Sequence, residues 1–236
     1  MLQLSDVRKV FDDGFVAVDD VSFAAARGEL VVILGESGCG KTTTLKMINR
    51  LIEPTAGEIV VDGADIRGRD PVQLRRSIGY VFQVVGLLQH MTIAEVSRLF
   101  ELVNWPAEQF ATRMPSELSG GQLQRVGFAR ALASDPQIML LDEPFGALDP
   151  LTRDSLQSEF KQIQKDLELT AILVTHDMNE ALLLADRIIV MREGRIVQDG
   201  APHALIADPA DDYVDSLMST PRRQAARLDD LQRASA

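Results

Sequence analysis

The sequence predicts an α/β fold with a mainly parallel β-sheet. Apolar stretches of strand length alternate with stretches of helical periodicity through most of its 236 residues, and this order places helices on the faces of a parallel sheet. Residues 35–42 read GESGCGKT and match the pattern of a phosphate-binding loop. An apolar run at residues 30–34 precedes the loop and a predicted helix follows it, so the loop lies where a strand ends and a helix begins.

The first 30 residues predict a small antiparallel β-subdomain ahead of the loop. Short apolar runs occur at residues 2–7 and 16–23, and Asp-Asp-Gly at residues 12–14 is a hairpin turn signal. Phe11 and Val18 flank this turn, and an aromatic ring in this position can stack on an adenine ring. The alternative for Phe11 is an ordinary place in the hydrophobic core.

The composition of the loop suits a polyphosphate. Gly35, Gly38 and Gly40 allow backbone angles and close approaches that a Cβ atom would prevent, and the amides of the loop can form a nest around an anion. Lys41 adds a positive charge for the terminal phosphates. The remaining predicted contacts of the loop come from Glu36, Ser37, Cys39, Thr42 and Thr43.

Three of these residues have specific interpretations. The Thr42 hydroxyl is a candidate ligand of Mg²⁺, and the Thr43 hydroxyl can reach another phosphate oxygen. Cys39 is interpreted as a small residue that fits the loop rather than as a redox switch. A phosphate-binding loop by itself leaves a kinase, a GTPase, a helicase and a transport ATPase as alternatives.

Beyond the loop, the alternation of strands and helices continues. The predicted strands lie at residues 58–62, 78–82, 137–141, 171–175, 188–191 and 195–198, the last two as a hairpin. The predicted helices lie at residues 92–103, 122–134, 150–167 and 178–185, and two short helices follow residue 202. The charged end of the chain is predicted to be a solvated or frayed helix.

The composition disfavours several classes of function. A net charge of −11 disfavours a primary nucleic-acid binder, which would need a basic surface. The single cysteine excludes an internal disulfide and a cysteine-based metal cluster, as is usual in a reducing cytosol. The N-terminus has no signal-peptide pattern and no apolar run is long enough to span a bilayer, so we expect a soluble chain that would serve a membrane only through separate subunits.

A second group of candidates lies at residues 138–143, which read IMLLDE. A carboxylate at the end of a strand downstream of a phosphate loop is the expected partner of Mg²⁺. Because side chains alternate along a strand, Asp142 and Glu143 are predicted to point apart. Asp142 would hold Mg²⁺ through water, and Glu143 would polarise the attacking water as a general base. The alternative is a pair of surface acids after a core strand.

Residues 118–122 read LSGGQ and precede a helix. Ser119 is predicted to cap this helix, and its glycines leave the backbone accessible. The exposed N–H groups form a second anion-binding helix end. Its predicted contacts are Ser119, Gly120, Gly121 and Gln122. A Gly-rich N-cap without a function is the alternative.

Together these motifs resemble the ATP-binding cassette (ABC) ATPase family. The resemblance rests on GESGCGKT, LSGGQ and IMLLDE, together with Gln83, the Ala-Leu-Asp at residues 147–149, and His176. It covers about residues 2–217. It implies that two copies pair head to tail and bind two ATP molecules with Mg²⁺, each between the phosphate loop of one copy and LSGGQ of the other.

The resemblance also implies roles residue by residue. Phe11 resembles the adenine-stacking aromatic residue, and Gln83 resembles the lid glutamine that meets Mg²⁺ and the attacking water. His176 would hold the γ-phosphate, and Asp149 would lie at the dimer seam. Contacts to the nucleotide of the partner copy are implied for Ser119 and Gly121.

Within the family, residues 44–59 and 78–95 resemble importers of osmoprotectant quaternary amines such as glycine betaine, choline, carnitine and proline betaine. Such a subunit works with integral membrane permease subunits and, indirectly, with a substrate-binding protein. It is cytoplasmic and peripheral on the inner face of the cell membrane. One departure is that only 35 positions separate Gln83 from Leu118, fewer than in relatives, so the inserted helical subdomain at about residues 84–134 is predicted to be shortened.

Two rival functions remain open from the sequence. One is a soluble ABC ATPase outside transport, and the other is a nucleotide-binding module whose shortened subdomain couples poorly to a transporter. We therefore predict an ABC ATPase domain of P-loop NTPase type over residues 1–217 and a C-terminal tail over residues 218–236.

Overall fold

The structure, a computed structural model, describes residues 1–82 and 115–234. The strands in these residues are β1 (Leu2–Val10), β2 (Val16–Ala25), β3 (Leu30–Leu34), β4 (Ala56–Val61), β5 (Ala64–Asp65), β6 (Ile78–Val81), β7 (Ile138–Asp142), β8 (Thr170–Thr175), β9 (Arg187–Arg192) and β10 (Arg195–Gly200). The α-helices are α1 (Lys41–Ile48), α2 (Pro71–Ser77), α3 (Gly120–Leu132), α4 (Pro150–Asp166), α5 (Met178–Leu184), α6 (Pro202–Ala207) and α7 (Asp212–Ala234). The predicted helix at residues 92–103 and most of the inserted subdomain lie outside the described residues.

The larger sheet has six strands in the order β10-β9-β3-β8-β7-β6. Its neighbours from β9 to β6 are parallel, and the β9–β10 hairpin is antiparallel. The prediction of a mainly parallel sheet is therefore confirmed. Leu34 pairs with Thr175, and Asp142 pairs with Val174, so the residues that follow β3, β7 and β8 meet at one edge of the sheet.

Alternating residues of the central strands face two hydrophobic layers. β3, β7 and β8 are buried along their whole length, which explains their continuous apolar sequences. Leu30, Val32 and Leu34 belong to the layer that includes α3, α4 and α5. Val31 and Ile33 belong to the opposite layer, which includes α1 and the smaller sheet. The core therefore occupies both faces of the larger sheet.

The smaller sheet has four strands in the order β2-β1-β4-β5, all antiparallel. It confirms the antiparallel β-subdomain, and the turn between β1 and β2 contains the Asp-Asp-Gly signal. β4 begins at Ala56, two residues earlier than predicted. Gly57 approaches β1 so closely that a Cβ there would lie 2.3 Å from the Asp6 carbonyl oxygen, a contact that the local sequence does not reveal.

In the C-terminal region, the prediction of two short helices is wrong for the second helix, whereas the charged end is helical, as predicted. α6 is short, but α7 runs for 23 residues through Pro221. Val214 and Met218 of α7 are fully buried in the layer with α5, which anchors the first turns of the helix. The predicted boundary between domain and tail falls inside α7. Among the described helices, none combines the length and apolar character that a membrane span needs.

Candidate nucleotide-binding site

The phosphate loop joins β3 to α1 at the carboxyl edge of the larger sheet. Two positions of the loop require glycine because neighbouring backbone approaches them closely. A Cβ on Gly35 would lie 2.2 Å from the Met191 carbonyl oxygen, and a Cβ on Gly40 would lie 2.4 Å from the Ala17 carbonyl oxygen. Gly40 also has a φ of 105°, which disfavours other residues. The loop is therefore fixed between β9 and β2.

The start of α1 presents backbone amides that suit an anion. Its first α-helical bond runs from the Thr44 N–H to the Gly40 carbonyl at 2.9 Å, so the N–H groups of Lys41, Thr42 and Thr43 precede that bond and point out of the helix end. Gly40 caps the helix without a side-chain hydrogen bond. In the rest of the loop, Glu36, Ser37 and Gly38 are exposed, and Cys39 is buried.

Lys41 lies inside the loop rather than in solvent. Its side chain is buried, and its Nζ donates to the carbonyl oxygens of Gly35 at 2.7 Å and Glu36 at 2.8 Å. The Cys39 Sγ lies 3.8 Å from the same Nζ. A buried ammonium needs such partners. Because these partners are dipoles and not a carboxylate, the charge of Lys41 remains available to an anion in the loop.

Thr42, Asp142 and Tyr80 form a hydrogen-bonded group beside the loop. The Thr42 hydroxyl donates to Asp142 Oδ1 at 2.7 Å, and the Tyr80 hydroxyl donates to Asp142 Oδ2 at 3.3 Å. Burial and the nearby Asp142 carboxylate raise the pKa of Tyr80 well above its usual range, so Tyr80 stays protonated and remains a donor. Asp142 is thus held as an oriented carboxylate.

Tyr80 is a site residue that sequence reasoning missed. It pairs with Leu140 in the parallel β6–β7 ladder, two residues before Asp142, so Tyr80 and Asp142 lie on the same face of the sheet. The signal is therefore a register between two strands separated by 62 residues along the chain. Such a register is not readable from either strand alone.

Glu143 and His176 face each other where β7 and β8 end. Glu143 Oε2 lies 3.2 Å from His176 Nδ1, and the His176 side chain is about half exposed. Glu143 leaves the strand with a φ of 46°, a left-handed conformation that is uncommon for a residue other than glycine and occurs often at functional sites. The two adjacent carboxylates thus have different partners: Asp142 contacts Thr42, and Glu143 contacts His176.

The other predicted nucleotide contacts occupy different environments. Phe11 lies on the β1–β2 turn with 37% of its surface exposed, and its ring is nearly parallel to that of Phe15, so an aromatic surface is accessible. Val18 is fully buried, and its Cγ2 would be 3.4 Å from a Cβ on Gly40. We therefore assign Val18 to the support of the loop and not to contact with a nucleotide. Gln83 lies outside the described residues.

The start of α3, which carries LSGGQ, is capped by its own side chains. Ser119 Oγ accepts a hydrogen bond from the Gln122 N–H at 3.3 Å, and Gln122 Oε1 accepts one from the Ser119 N–H at 2.9 Å. This is the reciprocal pattern of a capping box. Ser119 and Gly120 are exposed. In the part of the chain that the structure describes, no hydrogen bond joins Ser119 or Gln122 to the phosphate loop.

Gly121 packs against the start of α4. A Cβ on Gly121 would lie 2.4 Å from Thr152 Cγ2, whereas a Cβ on Gly120 would have Leu148 Cδ2 as its nearest contact at 3.9 Å. A side chain at position 121 would therefore require a shift of Thr152 or of the packing of α3 on α4. This packing is a reason for the second glycine that the sequence did not reveal.

Hydrogen bonds fix the start of α4 and join it to the residues that follow β8. Asp149 Oδ1 accepts a hydrogen bond from the Thr152 N–H at 3.1 Å and caps α4. Hydrogen bonds from Thr152 lower the pKa of Asp149. Arg153 donates to the Leu148 carbonyl at 3.1 Å and to Asp177 Oδ2 at 3.4 Å. Arg153 was missed from the sequence because Asp177 lies in a distant segment.

Comparison with known proteins identifies relatives of the whole chain. A family model described as ABC transporter matches residues 18–146. The choline transport ATP-binding protein OpuBA of Bacillus subtilis strain 168 is 49% identical over 251 residues, which cover 99% of this chain and 66% of that protein. The osmoprotectant import ATP-binding protein OsmV of Salmonella typhimurium strain LT2 is 45% identical over 245 residues, which cover 94% and 64%. The chain thus spans about two thirds of the length of these relatives.

Solved structures share the fold. The dimeric ATP-binding cassette MJ0796, in a post-hydrolysis state bound to ADP and Pi, has a TM-score of 0.78 and 32% identity, and the match covers 86% of this chain and 99% of that one. The protein cbiO1 of Clostridium perfringens, part of the ABC transporter complex cbiONQ, has a TM-score of 0.81 and 27% identity, with 97% and 98% covered. The motifs, the fold and these relatives agree: the chain belongs to the ABC transporter family.

Proposed function

We propose that this chain is the ATP-binding and ATP-hydrolysing subunit of an importer for osmoprotectant quaternary amines. The observation that carries the proposal is the arrangement of Lys41, Thr42, Asp142 and Glu143 around one uncapped helix end. This arrangement supports nucleotide chemistry. The cargo class is supported by relatives named for choline transport and osmoprotectant import.

The residues present fit a magnesium-bound nucleotide. Thr42 and Asp142 offer oxygen donors, which Mg²⁺ prefers, and they touch at 2.7 Å. Such a site needs few protein ligands because phosphate oxygens complete it, and within the described residues no cluster of three or more His, Cys, Asp or Glu side chains forms a separate metal site. Lys41 and the loop amides would hold the β- and γ-phosphates, and Phe11 would stack on the adenine.

The side chains at the strand ends support hydrolysis of the terminal phosphate. Mg²⁺, when bound, would neutralise charge on the phosphates. Glu143 would take the proton of the attacking water on its carboxylate. His176 contacts Glu143 through Nδ1, which orients the carboxylate and leaves Nε2 for the γ-phosphate.

A second copy of the chain would complete the site. The start of α3 presents exposed Ser119 and Gly120, and within the described residues the side chains of its capping box bond to each other's backbone and not to the loop. The related cassette MJ0796 is dimeric in its structure with ADP and Pi. In a head-to-tail dimer, LSGGQ of one copy would face the nucleotide in the loop of the other, and Asp149 would lie at the seam.

The importer would place this chain on the inner face of the cell membrane, against integral permease subunits that receive cargo from a substrate-binding protein. A second candidate is a nucleotide-binding module with impaired coupling to those subunits. It is favoured by one observation: the match with OpuBA extends over 251 residues, fifteen more than the 236 residues of the chain. That relative therefore has residues in the matched region that this chain lacks, as a shortened helical subdomain requires.

Uptake of labelled glycine betaine and choline at high osmolarity tests the proposal. Cells that lack this subunit would receive the wild-type chain, the Glu143→Gln variant or the Glu168→Gln variant. Glu168 is a matched control because it also has a positive φ, of 50°, but lies exposed in the turn before β8. We expect the wild-type chain and Glu168→Gln to restore uptake and Glu143→Gln to fail.

Hydrolysis by the purified chain separates the candidates. ATP hydrolysis together with restored uptake supports the importer. Hydrolysis and copurification with integral membrane subunits, without uptake, would favour impaired coupling. Hydrolysis with neither would point to an ATPase outside transport, and the absence of nucleotide binding would contradict all three.

A further inference from the structure

The outer end of the phosphate loop is attached to the C-terminal helix. The N–H of Glu36 donates a hydrogen bond of 3.3 Å to the hydroxyl oxygen of Tyr213, a residue in the first turn of α7. The two residues are 177 positions apart in the chain. The contact therefore joins the candidate nucleotide site to α7, the helix in which the predicted end of the domain falls.

Tyr213 has a fixed position at this contact. The Arg192 guanidinium lies over its ring, 5.1 Å from the centroid, and pairs with Asp211 Oδ2 at 3.0 Å. Asp211 Oδ1 in turn accepts a hydrogen bond from the Val214 N–H at 2.9 Å. Val214 and Met218 are fully buried on the side of α7 that faces the core. The ring is thus held by the end of β9 on one side and by the start of α7 on the other.

Both backbone polar groups of Glu36 are held by hydrogen bonds. Its carbonyl accepts from Lys41 Nζ at 2.8 Å, and its N–H donates to Tyr213. A polyphosphate in the loop would draw Lys41 toward its own oxygens, and the Glu36 carbonyl would then lose a donor. The bond to Tyr213 does not compete with the phosphates, because the amides at the start of α1 lie further along the loop. We therefore expect this bond to persist when a ligand enters the loop.

We propose that Tyr213 is a positioning residue for the phosphate loop, and that through it the anchoring of α7 sets the affinity of the loop for a nucleoside polyphosphate. The inference rests on the proposed nucleotide binding. Burial raises the pKa of Tyr213, so the hydroxyl is neutral at physiological pH. It fixes the loop by geometry, and it adds no charge to the site.

The Tyr213→Phe variant removes one oxygen and keeps the ring under Arg192. Ser216→Ala is the matched control, because the exposed Ser216 hydroxyl donates only within α7, to the Tyr213 carbonyl at 2.8 Å. Two measurements apply: amide exchange of Glu36 by NMR without nucleotide, and binding of ADP. For Tyr213→Phe we expect faster exchange at Glu36 and roughly two- to tenfold weaker binding of ADP, the effect of one neutral hydrogen bond.

Separate measurement of KM and kcat distinguishes a positioning role of Tyr213 from a general effect on the stability of the chain. Tyr213→Phe should raise the KM for ATP by the same factor as it weakens ADP binding, with kcat and the exchange of the α7 amides unchanged. Arg192→Gln, which frees the ring, should act in the same direction. Faster exchange along all of α7, or an unchanged Glu36 amide with unchanged ADP affinity, would overturn the proposal. A wild-type chain that binds no nucleotide would instead overturn the proposed function.

Discussion

Two helix ends in this chain were predicted to bind an anion, and the structure builds them in opposite ways. α1 begins at Gly40 with a left-handed backbone and no side-chain cap, whereas α3 begins at Ser119 with a complete capping box. The start of α1 carries Lys41 and lies beside Asp142 at the end of β7, and both side chains are close enough to act on a phosphate in the loop. At the start of α3, the N–H groups of Ser119 and Gln122 are bonded within the capping box, and Gly121 packs on α4.

The difference shows which half of the site each helix end supplies. An uncapped helix end has unpaired N–H groups that a bound anion can satisfy, so α1 is prepared for a ligand within a single chain. A capped end is stable without a ligand. The start of α3 therefore suits a surface that meets the nucleotide only when a second copy brings it there.

Replacing Lys41 should have the largest effect on nucleotide binding at the start of α1. In Lys41→Ala the loop loses its only buried ammonium among the described residues, and we expect ATP to bind roughly 10- to 100-fold more weakly, because hydrogen bonds to charged groups are the stronger ones. Calorimetric titration measures the affinity. Lys46→Ala, in the last turn of the same helix, is the control and should bind ATP as the wild-type chain does.

A Cβ at position 121 should destabilise the start of α3 through overpacking against α4. Gly121→Ala places a methyl group 2.4 Å from Thr152 Cγ2, and overpacking of this kind costs about 1–3 kcal/mol of folding free energy. Urea unfolding measures the loss. Thr152→Ser removes Cγ2, so the double variant should recover most of the stability. A Gly121→Ala chain as stable as the wild type would contradict the packing argument.

Removing the Tyr80 hydroxyl should have a smaller effect, confined to the α1 side. In Tyr80→Phe, Asp142 keeps its bond from Thr42 but loses the one on Oδ2. We expect the Mg²⁺ concentration for half-maximal nucleotide binding to rise roughly two- to tenfold, the effect of one hydrogen bond. Nucleotide binding without Mg²⁺ is the internal control and should not change. Equal Mg²⁺ dependence in both chains would show that Tyr80 does not orient Asp142.

The smallest expected effect concerns pH and the cap of α4. Hydrogen bonds from Thr152 lower the pKa of Asp149 in the folded chain. Their contribution to stability is therefore present above the unfolded pKa of about 3.9 and is lost as the pH falls through the folded value. Asp149→Asn keeps a capping side chain but cannot titrate. Urea unfolding at pH 6 and pH 3 should show a smaller loss of stability in the variant than in the wild type.

The features that the sequence predicted arise from local patterns. The apolar runs of β3, β7 and β8, the hairpin turn and the loop GESGCGKT each signal their structure within a few residues. The pairing of Thr42 with Asp142 agrees with the expectation that the ends of parallel strands meet at one edge.

The parts that the sequence did not predict are contacts between distant segments. Tyr80 and Tyr213 act on residues 62 and 177 positions away, and the clash that requires Gly121 comes from a neighbouring helix. The length of α7 was not predicted, because a charged end is typical of a solvated or frayed helix, whereas buried contacts of Val214 and Met218 anchor the start of α7.

The central claim is that the loop of one chain is completed by the α3 end of another, and the mass of the Glu143→Gln variant tests it most directly. This variant should bind ATP without hydrolysing it and hold two copies together. With ATP and Mg²⁺, light scattering should give twice the chain mass of 26.0 kDa, and Gly121→Ala in the same background should return it to the single mass. A Glu143→Gln chain that binds ATP but stays at the single mass would contradict the claim.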